Sequence, residues 1–342
     1  MSRARVRLGV VGLGHLGRFH AHNLATRVSD VELVRVVDAH EPTASEVGGA
    51  LGVDWATSYD ALLGDDSIAG VVIVTPTSLH VEMIEQAAAA GKHVFTEKPI
   101  SLDVPAGLRA IEAATRAGVH LQVGFHRHFD PDYVAAAERI QAGDLGALQF
   151  VRSTQRDAEP PGDTDYLPSC GDFFVDALIH DFDCARWFGG EIVEVSAYGA
   201  SISSDIFSEV GDVDNAVIAL RFASGAVGIV DGSRSSGYGY EAGVEVMGTE
   251  ATLRISRNRV TNVECLTMGT SKRDYVVEYQ TRFVGAYVEE LVAFAGAIRG
   301  EREVAVGGRE AIAAFLVAQA ASRSHAEGRP VAVEDPGSVL GQ

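Results

Sequence analysis

The sequence predicts an α/β protein in two parts: a doubly wound parallel sheet, then an α+β part with an open, mostly antiparallel sheet. The chain has 342 residues, too many for one typical domain and about right for two. In the first part, short strands that are apolar on both faces alternate with helices, as in a sheet covered on both sides. After about residue 125, longer strands of alternating polarity follow one another. We therefore predict domains at 1–125 and 126–342.

Apolar runs and helix-ending glycines define the elements of the first domain. Strands are predicted at 6–11, 31–38, 70–76, 93–96 and 119–124, and helices at 15–28, 42–52, 78–92 and 104–118, with a helical turn within 57–65. Ser78 is the predicted N-cap of the helix at 78–92, and Gly91 is its predicted stop. Gly118 is the predicted stop of the helix at 104–118.

The second domain is predicted to be a sheet with helices on one side. Strands are predicted at 148–155, 191–200, 213–222, 226–232, 243–248 and 251–256, and helices at 131–142, 173–188, 284–299 and 308–326. The sequence FASGAVG indicates a hairpin with Ser-Gly at its turn. A loop rich in Pro, Gly and Asp spans 157–172.

Composition excludes several kinds of partner. The net charge of −19 repels phosphate backbones and anionic lipid surfaces, so nucleic acid and membrane partners are not expected. No run approaches the ~18 apolar residues of a membrane span. The cysteines Cys170, Cys184 and Cys265 are odd in number and lack CxxC spacing, which predicts a reducing, cytoplasmic setting without disulfides or structural zinc.

A glycine-rich turn after the first strand predicts a dinucleotide site. The pattern GxGxxG at 12–17 follows the strand and opens a helix, as in a Rossmann domain, whose helix N-terminus binds a diphosphate. Asp38 ends the second strand, where a carboxylate accepts hydrogen bonds from ribose hydroxyls and repels a 2′-phosphate. NAD is therefore predicted rather than NADP. The predicted cofactor contacts in these two segments are Gly12, Gly14, His15, Leu16 and Asp38.

Polar residues also follow the next two strands, where ligands of this fold lie. Thr75 lies at the end of the strand at 70–76, and Thr77 follows it directly. His80 lies one turn further on. Glu97 and Lys98 follow the strand at 93–96, and Pro99 restricts the backbone of Lys98. We predict that these residues line the cofactor crevice, although Thr75, Thr77 and His80 fit a turn and a helix cap equally well.

The predicted helix at 173–188 carries a polar stripe opposite its apolar face. Asp176, His180 and Asp183 share this stripe with the rings of Phe173 and Trp187. A solvated surface explains the charges, whereas the aromatic rings are more typical of a cleft wall. In a continuous helix, Asp176 and His180 would lie within mutual reach at i and i+4.

Four motifs together resemble the glucose–fructose oxidoreductase/inositol dehydrogenase/MocA family. They are GLGHLGRFHAHNL, TEKPIS, GFHRHFDP and GDFFVDALIHDFDCARWF, and the resemblance covers nearly the whole chain. Within the family, TQRDAEPP, SRSSGYGYEAGVEVMGTEATL and RFVGAYVEELVAFAGAI are similar to the inositol 2-dehydrogenase branch. The resemblance implies a Rossmann domain, an open-faced sheet domain that also serves oligomerisation, and a homotetramer.

The resemblance also implies a catalytic set, Lys98, Asp176 and His180, in a site shared by both domains. A neutral histidine near its unperturbed pKa of about 6.5 can take the proton of a secondary hydroxyl. Asp176 can fix the tautomer of His180, and Lys98 can stabilise negative charge on the substrate oxygen. Lys98 as the base is an open alternative.

The expected substrate is a small polyol, with myo-inositol oxidised to 2-keto-myo-inositol (scyllo-inosose). The resemblance implies contacts from Arg127, Asp157 and Tyr238, in addition to the catalytic set. Asp172 stands where the inositol branch often has glycine, and His126 where it often has asparagine. Both residues are predicted to lie near the substrate, with Asp172 as one of its contacts. The two differences therefore leave open another inositol isomer, an aminocyclitol or a free sugar.

Three rival interpretations remain. A sugar or aldose dehydrogenase would use the same machinery on another polyol. A metal enzyme would use Asp176, His180, His126 and His128 as ligands, although no metal is predicted here. A non-catalytic NAD-binding regulator would not require the catalytic set.

Overall fold

The computed structural model describes residues 4–161, 166–256 and 259–341. It divides into two compact units, one of Met1–Phe129 with Gly285–Ile312 and one of Asp130–Val284 with Ala313–Gln342. The late segment Gly285–Ile312 therefore belongs with the N-terminal unit. The functional division into 1–125 and 126–342 stays a prediction.

The first unit is built on a parallel sheet with helical crossovers. Its strands are β1 (Val6–Val11), β2 (Val31–Val37), β3 (Asp54–Ala56), β4 (Gly70–Ile73), β5 (His93–Thr96) and β6 (Leu121–Val123). Its helices are α1 (His15–Thr26), α2 (Glu41–Leu51), α3 (Asp60–Leu63), α4 (Thr77–Ala89) and α5 (Val104–Ala117), with a 3-10 helix at His126–Phe129. The strand order β3-β2-β1-β4-β5-β6 is that of a Rossmann sheet.

Local chemistry explains the helix boundaries of this unit. Gly91 and Gly118 adopt positive φ values of 69° and 67° and end their helices, as predicted. The prediction of Ser78 as N-cap was wrong, because α4 begins at Thr77 with Pro76 as its N-cap residue. Pro76 is extended (ψ 142°), and its ring fixes φ near the value at which the chain enters the helix. The three-residue strand β3 was not predicted, because two of its residues are exposed and no apolar run marks it.

The core of the first unit includes residues from its late segment. Leu8 and Phe95 of the sheet are fully buried, and they belong to one cluster with Leu291, Phe294 and Ala295. The helix that supplies these late residues, α10 (Tyr279–Ile298), departs from helical geometry at Phe283 (φ −112°, ψ 15°). The departure lies beside the boundary at which α10 passes from the second unit to the first.

The second unit carries a seven-stranded sheet of order β12-β11-β7-β10-β9-β8-β15. Its strands are β7 (Leu148–Arg156), β8 (Ile192–Ala200), β9 (Asn215–Phe222), β10 (Val227–Ser233), β11 (Glu241–Gly248), β12 (Thr252–Ile255) and β15 (Val331–Ala332), beside a hairpin of β13 (Glu264–Thr267) and β14 (Thr270–Arg273). Its remaining elements are α6 (Pro131–Gln141), a 3-10 helix at Leu167–Ser169, α7 (Phe173–Asp176), α8 (Ile179–Gly189), α9 (Asp205–Glu209), α11 (Gly308–Glu327, which begins in the first unit) and α12 (Pro336–Val339). The predicted open, mostly antiparallel sheet is confirmed, with β7 and β10 as its parallel pair.

Alternation along β9 shows why one face of this sheet is open. Ile218, Leu220 and Phe222 are buried, whereas Val217, Ala219 and Arg221, which alternate with them along the strand, are exposed. Helix α8 packs against β7 and β10. The predicted hairpin is also present, since β9 and β10 pair antiparallel across a turn in which Gly225 has a φ of 90°.

The prediction of one helix over 173–188 was wrong, because the segment forms two helices. Helix α7 ends at Asp176 and α8 begins at Ile179. Between them, the N–H of Leu178 reaches back to the carbonyl of Phe173 over five residues, as in a π-type turn, which is frequent at functional sites. The loop predicted before these helices, 157–172, lies partly outside the described residues, at 162–165.

Within the described part of the chain, no helix is both long and apolar enough to cross a membrane. The three cysteines are free thiols, with Cys170 and Cys184 buried and Cys265 exposed.

Candidate active site

The glycine loop between β1 and α1 has room for a ligand at one position only. Gly12 has a φ of 86°, and a Cβ there would lie 2.6 Å from the carbonyl oxygen of Val74. A Cβ on Gly17 would lie 1.8 Å from the carbonyl oxygen of Gly12, so helix and strand approach too closely for any side chain. A Cβ on Gly14 would meet no protein atom within 4 Å. The loop therefore fits a diphosphate that approaches the backbone at Gly14.

Asp38 is fixed beside this loop by backbone donors. Its Oδ2 accepts the N–H of Leu13 at 2.7 Å, and its Oδ1 accepts the N–H of His40 at 2.8 Å. The carboxylate thus lies at the end of β2 against the glycine loop, as an NAD ribose requires. His15 and Leu16 are the first two residues of α1, whose first turn carries no acidic side chain to oppose an anion.

Lys98 follows β5, which pairs with β4 at the centre of the sheet. Its backbone N–H donates to Oε2 of Glu97 at 3.2 Å, and the peptide bond to Pro99 is cis. Glu97 is 5% exposed, and its backbone N–H donates to the carbonyl of Ile73 at 3.0 Å. The turn that carries Lys98 is therefore anchored to the adjacent strand.

His80 joins the turns that follow β4 and β5. Its Nδ1 lies 2.8 Å from the carbonyl oxygen of Pro99, and its Nε2 lies 2.9 Å from that of Thr75. Burial lowers the pKa of His80 despite these two carbonyls, so at neutral pH one ring nitrogen carries the proton and donates. Thr75 and Thr77 lie where the sequence placed them, after β4 and at the first position of α4.

In the second unit, Asp176 pairs with an arginine that the sequence did not single out. Nη1 of Arg234 donates to Oδ2 of Asp176 at 3.1 Å, and its Nη2 lies 3.6 Å from Asp212. The guanidinium is 3% exposed and lies over the rings of Phe173 and Phe207, at 4.9 and 5.2 Å. Cation–π contact on both rings and two carboxylates fix the arginine, and with it one oxygen of Asp176.

The charges of this group affect one another. Burial alone would lower the pKa of Arg234, but the carboxylates led by Asp176 outweigh it and hold the pKa above its usual value. Burial raises the pKa of Asp212, against hydrogen bonds from two backbone N–H groups. Burial also raises the pKa of the Tyr166 hydroxyl, and the Asp176 carboxylate raises it further. Tyr166 therefore stays a neutral phenol near Asp176, able to donate a hydrogen bond.

Asp172 and His180 flank Asp176 on the two short helices. Asp172 is the N-cap of α7, where its Oδ1 accepts the N–H of Val175 at 3.1 Å. His180 is the second residue of α8 and is partly exposed. Because the helix breaks at Ala177 and Leu178, the spacing of Asp176 and His180 is not that of one continuous helix.

The other predicted substrate contacts occupy three different settings. Arg127 is 1% exposed, in the 3-10 helix of the first unit. Asp157 follows β7, and its backbone carbonyl accepts the N–H of Ser236. Tyr238 is 46% exposed, and its hydroxyl contacts Glu241 and lies 3.4 Å from Arg156. Whether these residues bind a substrate stays a prediction.

Comparison with known proteins places the chain in a family. The model of an oxidoreductase family with an NAD-binding Rossmann fold matches residues 6–125, and that of the family's C-terminal alpha/beta domain matches residues 137–333. The chain belongs to this family, the GFO/IDH/MocA oxidoreductases. The resemblance drawn from the four motifs is thereby confirmed, as are the predictions of NAD as cofactor and of an enzyme that oxidises CH–OH groups.

Several full-length relatives are named for inositols. The scyllo-inositol 2-dehydrogenase (NAD(+)) of Bacillus subtilis is 39% identical over 96% of this chain and 97% of the relative. The myo-inositol 2-dehydrogenase of Thermotoga maritima is 36% identical over 96% of this chain and 99% of the relative. The structure of a scyllo-inositol dehydrogenase from Lactobacillus casei with NAD(H) and scyllo-inositol is 28% identical, with a TM-score of 0.90 over 96% of this chain and 99% of that chain.

The structure also groups residues that the sequence analysis missed. Arg234 pairs with Asp176 and also lies near Asp212. His20 and Glu290 lie beside Glu97. The sequence offered a weak signal for Arg234 alone, which follows β10 within the stretch SRSSGYGYE. His20 and Glu290 are 270 positions apart, so no local pattern reveals them.

The metal set named as a rival differs from what the structure brings together. Among the described residues, the His, Cys, Asp and Glu side chains close enough to share an ion are His20, Glu97 and Glu290.

Proposed function

We propose that the chain oxidises a ring hydroxyl of a cyclic polyol with NAD, converting myo-inositol to 2-keto-myo-inositol. The observation that supports this most is the dinucleotide cradle formed by Gly14 and Asp38. In the same sheet, β5 lies two strands from β1, and the anchored Lys98 follows β5. The family's full-length relatives named for inositols supply the substrate class. Both myo- and scyllo-inositol give the same ketone, so either isomer fits the proposed product.

Within this proposal, His180 takes the proton of the hydroxyl that is oxidised. A neutral imidazole can accept a proton from a hydroxyl group. Asp176 orients the imidazole and stabilises its protonated form, with one carboxylate oxygen already held by Arg234.

Lys98 holds the oxygen of the reacting hydroxyl. Its ammonium donates to that oxygen and stabilises the negative charge that develops as the proton leaves. NAD, when bound, supplies the carbon that accepts the hydride. The glycine loop and Asp38 hold the diphosphate and the ribose, so that the nicotinamide is fixed relative to the end of β5.

Replacing His180 tests the proposed base. We expect His180→Ala to lower kcat by roughly 10²–10⁴-fold, because general-base catalysis contributes about that much. NAD affinity, measured by titration calorimetry, should stay within about twofold, since His180 is assigned no cofactor contact. Near-normal kcat with NAD bound would refute this role and leave Lys98 as the base.

A polyol panel tests the substrate. NADH formation is followed with myo-inositol, scyllo-inositol, other inositol isomers, an aminocyclitol and free aldoses at equal concentration. The proposal expects the highest kcat/KM for myo-inositol, whereas preference for scyllo-inositol or an aldose would move the assignment within the family. If the NAD-bound protein oxidises none of these polyols, the result would support a non-catalytic NAD-binding regulator instead.

We also propose a homotetramer in a reducing, cytoplasmic setting. The support for assembly is the open face of the seven-stranded sheet, which exposes Tyr198, Val217 and Val227. Free cysteines support the compartment, since two of the three are buried thiols.

A further inference from the structure

A buried polar group lies behind Lys98 in the first unit. His20 of α1, Glu97 after β5 and Glu290 of α10 each place a ligand-type atom within 4.8 Å of the other two. Their exposed fractions are 0%, 5% and 0%. Neither the NAD cradle nor the proposed chemistry accounts for two carboxylates in this dry position.

Glu97 is held on three sides of its carboxylate. Its Oε1 lies 2.8 Å from Nε2 of His20, and its Oε2 accepts the backbone N–H of Lys98. The third side is Gly124, where a Cβ would lie 2.9 Å from the carboxylate. The absence of a side chain at 124 therefore makes room for Glu97, and the carboxylate is fixed against the backbone of Lys98.

Glu290 has no such partners. Among the described residues, neither carboxyl oxygen of Glu290 has a hydrogen-bond partner, although its side chain is fully buried. Its backbone carbonyl, in contrast, accepts the side-chain N–H of Gln122 at 2.8 Å, so the helix at this point is fixed to the sheet. An ionised carboxylate in this position would be unsolvated and close to a second one, which is strongly unfavourable.

Either a cation or a proton can relieve this charge, and the geometry favours a proton. The group offers three protein ligands, and Nε2 of His20 is already at hydrogen-bond distance from Glu97. Structural zinc takes four protein ligands and calcium six or more oxygens. Around the imidazole lie the rings of Phe95 and Tyr287, at centroid distances of 5.5 and 5.6 Å.

We propose that Glu290 is a neutral carboxylic acid, so that Glu97 is the charged carboxylate in the group of His20, Glu97 and Glu290 and positions Lys98. Burial and the neighbouring Glu97 both raise the pKa of Glu290, in agreement with this geometry. Glu290 and Glu97 are thus positioning residues, because they act through the backbone of Lys98. The part of this proposal that concerns Lys98 rests on the proposed function.

Other titratable groups face the same region and set its background charge. They are Lys98 after β5, His80 of α4, His126 of the 3-10 helix, which stacks on Tyr287 at 4.5 Å, and Tyr287 of α10 itself. Since the variants below leave these groups unchanged, their titration is common to all proteins compared.

The proton itself is tested by unfolding, which requires no substrate. In the unfolded chain Glu290 ionises near pH 4.5, whereas the folded protein keeps its proton to higher pH. The wild type therefore loses stability relative to Glu290→Gln as pH rises above about 4.5, because glutamine needs no proton. We expect the urea midpoint of Glu290→Gln to exceed that of the wild type by an amount that grows between pH 5 and 8. A lower midpoint without this trend would overturn the proposal, and so would stoichiometric metal in the purified wild type that Glu290→Gln lacks.

The positioning role is tested by kinetics with matched variants. Glu290→Gln mimics the neutral acid and should keep kcat within about twofold, whereas Glu290→Ala should lower kcat at least tenfold with NAD affinity within twofold. Glu97→Gln should also lower kcat at least tenfold. If kcat is retained in Glu290→Gln and lost in Glu290→Ala, position 290 needs a neutral hydrogen-bonding group. Equal loss in Glu290→Gln and Glu290→Ala would overturn the role. If the wild type oxidises no polyol, the proposed function fails. The unfolding comparison then still tests whether Glu290 is protonated in the folded protein.

Discussion

Two glycines of one loop respond to the same substitution in opposite ways. An alanine at position 17 would place its Cβ 1.8 Å from the carbonyl of Gly12, so the backbone must move. An alanine at position 14, where φ is −65°, would meet no protein atom and require no unusual backbone. Gly17 is thus needed for the fold, whereas Gly14 is needed for the ligand.

The two alanine variants give a matched prediction. Gly17→Ala should lower the free energy of unfolding by roughly 1–3 kcal/mol or more, the usual range for overpacking. Gly14→Ala should stay within about 1 kcal/mol of the wild type without ligand, yet weaken NAD binding about tenfold or more, because the Cβ occupies the approach of the diphosphate. Urea unfolding and calorimetric titration with NAD measure the two effects. Unchanged NAD affinity in Gly14→Ala would contradict this account of the loop.

The buried charge of Arg234 stabilises two neighbouring carboxylates. It is the cation beside both Asp176 and Asp212, and its side chain is 3% exposed. Arg234→Met would leave these carboxylates without that partner, and we expect a loss of about 3–5 kcal/mol in the free energy of unfolding. The control is Arg116→Met, which breaks an exposed pair with Glu112 on α5 and should cost under about 1 kcal/mol. Equal effects of the two substitutions in urea unfolding would show that burial does not decide the energetics here.

At the scale of elements, one carboxylate organises the connection from β8 to α9. Asp214 is buried and accepts hydrogen bonds from the backbone N–H groups of Ile202, Ser203 and Ser204. The Ser203 hydroxyl and the Asn215 amide also donate to it. Burial would raise the pKa of Asp214, but these donors outweigh it and lower the pKa. The ionised form therefore holds the connection in place.

A pH-dependent stability follows from Asp214. Because its pKa is lower in the folded protein than the unfolded value near 3.8, its contribution is present above about pH 4 and is lost as pH falls through the folded pKa. Asp214→Asn should reduce the free energy of unfolding by about 2 kcal/mol or more at pH 6, and the difference should shrink below pH 4. Urea unfolding between pH 3 and 7 measures this, with the nearby exposed Asp205→Asn as a control. A difference that is the same at every pH would contradict the assignment.

How far the elements were predictable depends on whether their signals are local. The strands and helices of the first unit follow from apolar runs and glycine stops, and GxGxxG places the cofactor loop directly. The break between α7 and α8 was not predictable, because Ala177 and Leu178 are good helix formers and only their hydrogen bonds to the carbonyl of Phe173 mark it. Arg234 and Glu290 were missed because their partners are distant in sequence.

At the scale of the whole molecule, charge acts against the ligand and against assembly. The net charge of −19 repels a dinucleotide, so the affinity must come from local donors at the N-terminus of α1, where the first turn has no acidic residue. Copies of the chain repel one another as well. Any assembly therefore depends on apolar contact, and salt that screens the repulsion should favour it.

The open face of the seven-stranded sheet is the predicted source of that contact. Tyr198 and Val217 are directly paired across β8 and β9 and are 73% and 46% exposed. Val227 and Met247 continue the same face through the pairing of β10 and β11 with β7. Arg221, which pairs with Val227 across β9 and β10, lies on the same face with its partner Glu194, so the exposed apolar residues stand among ion pairs. We expect the apolar residues to make the contact between copies.

Assembly is tested by placing a charge on this face. The wild type should behave as a particle of about four times 36.2 kDa by light scattering after size exclusion, with more complete assembly at higher salt. Val217→Glu and Tyr198→Glu should each dissociate it, since burying an added carboxylate between copies is costly. Leu266→Glu is the matched control, because Leu266 is 74% exposed on the separate β13–β14 hairpin. Dissociation by the control and not by the sheet variants would place the interface elsewhere, and a monomeric wild type would refute the homotetramer.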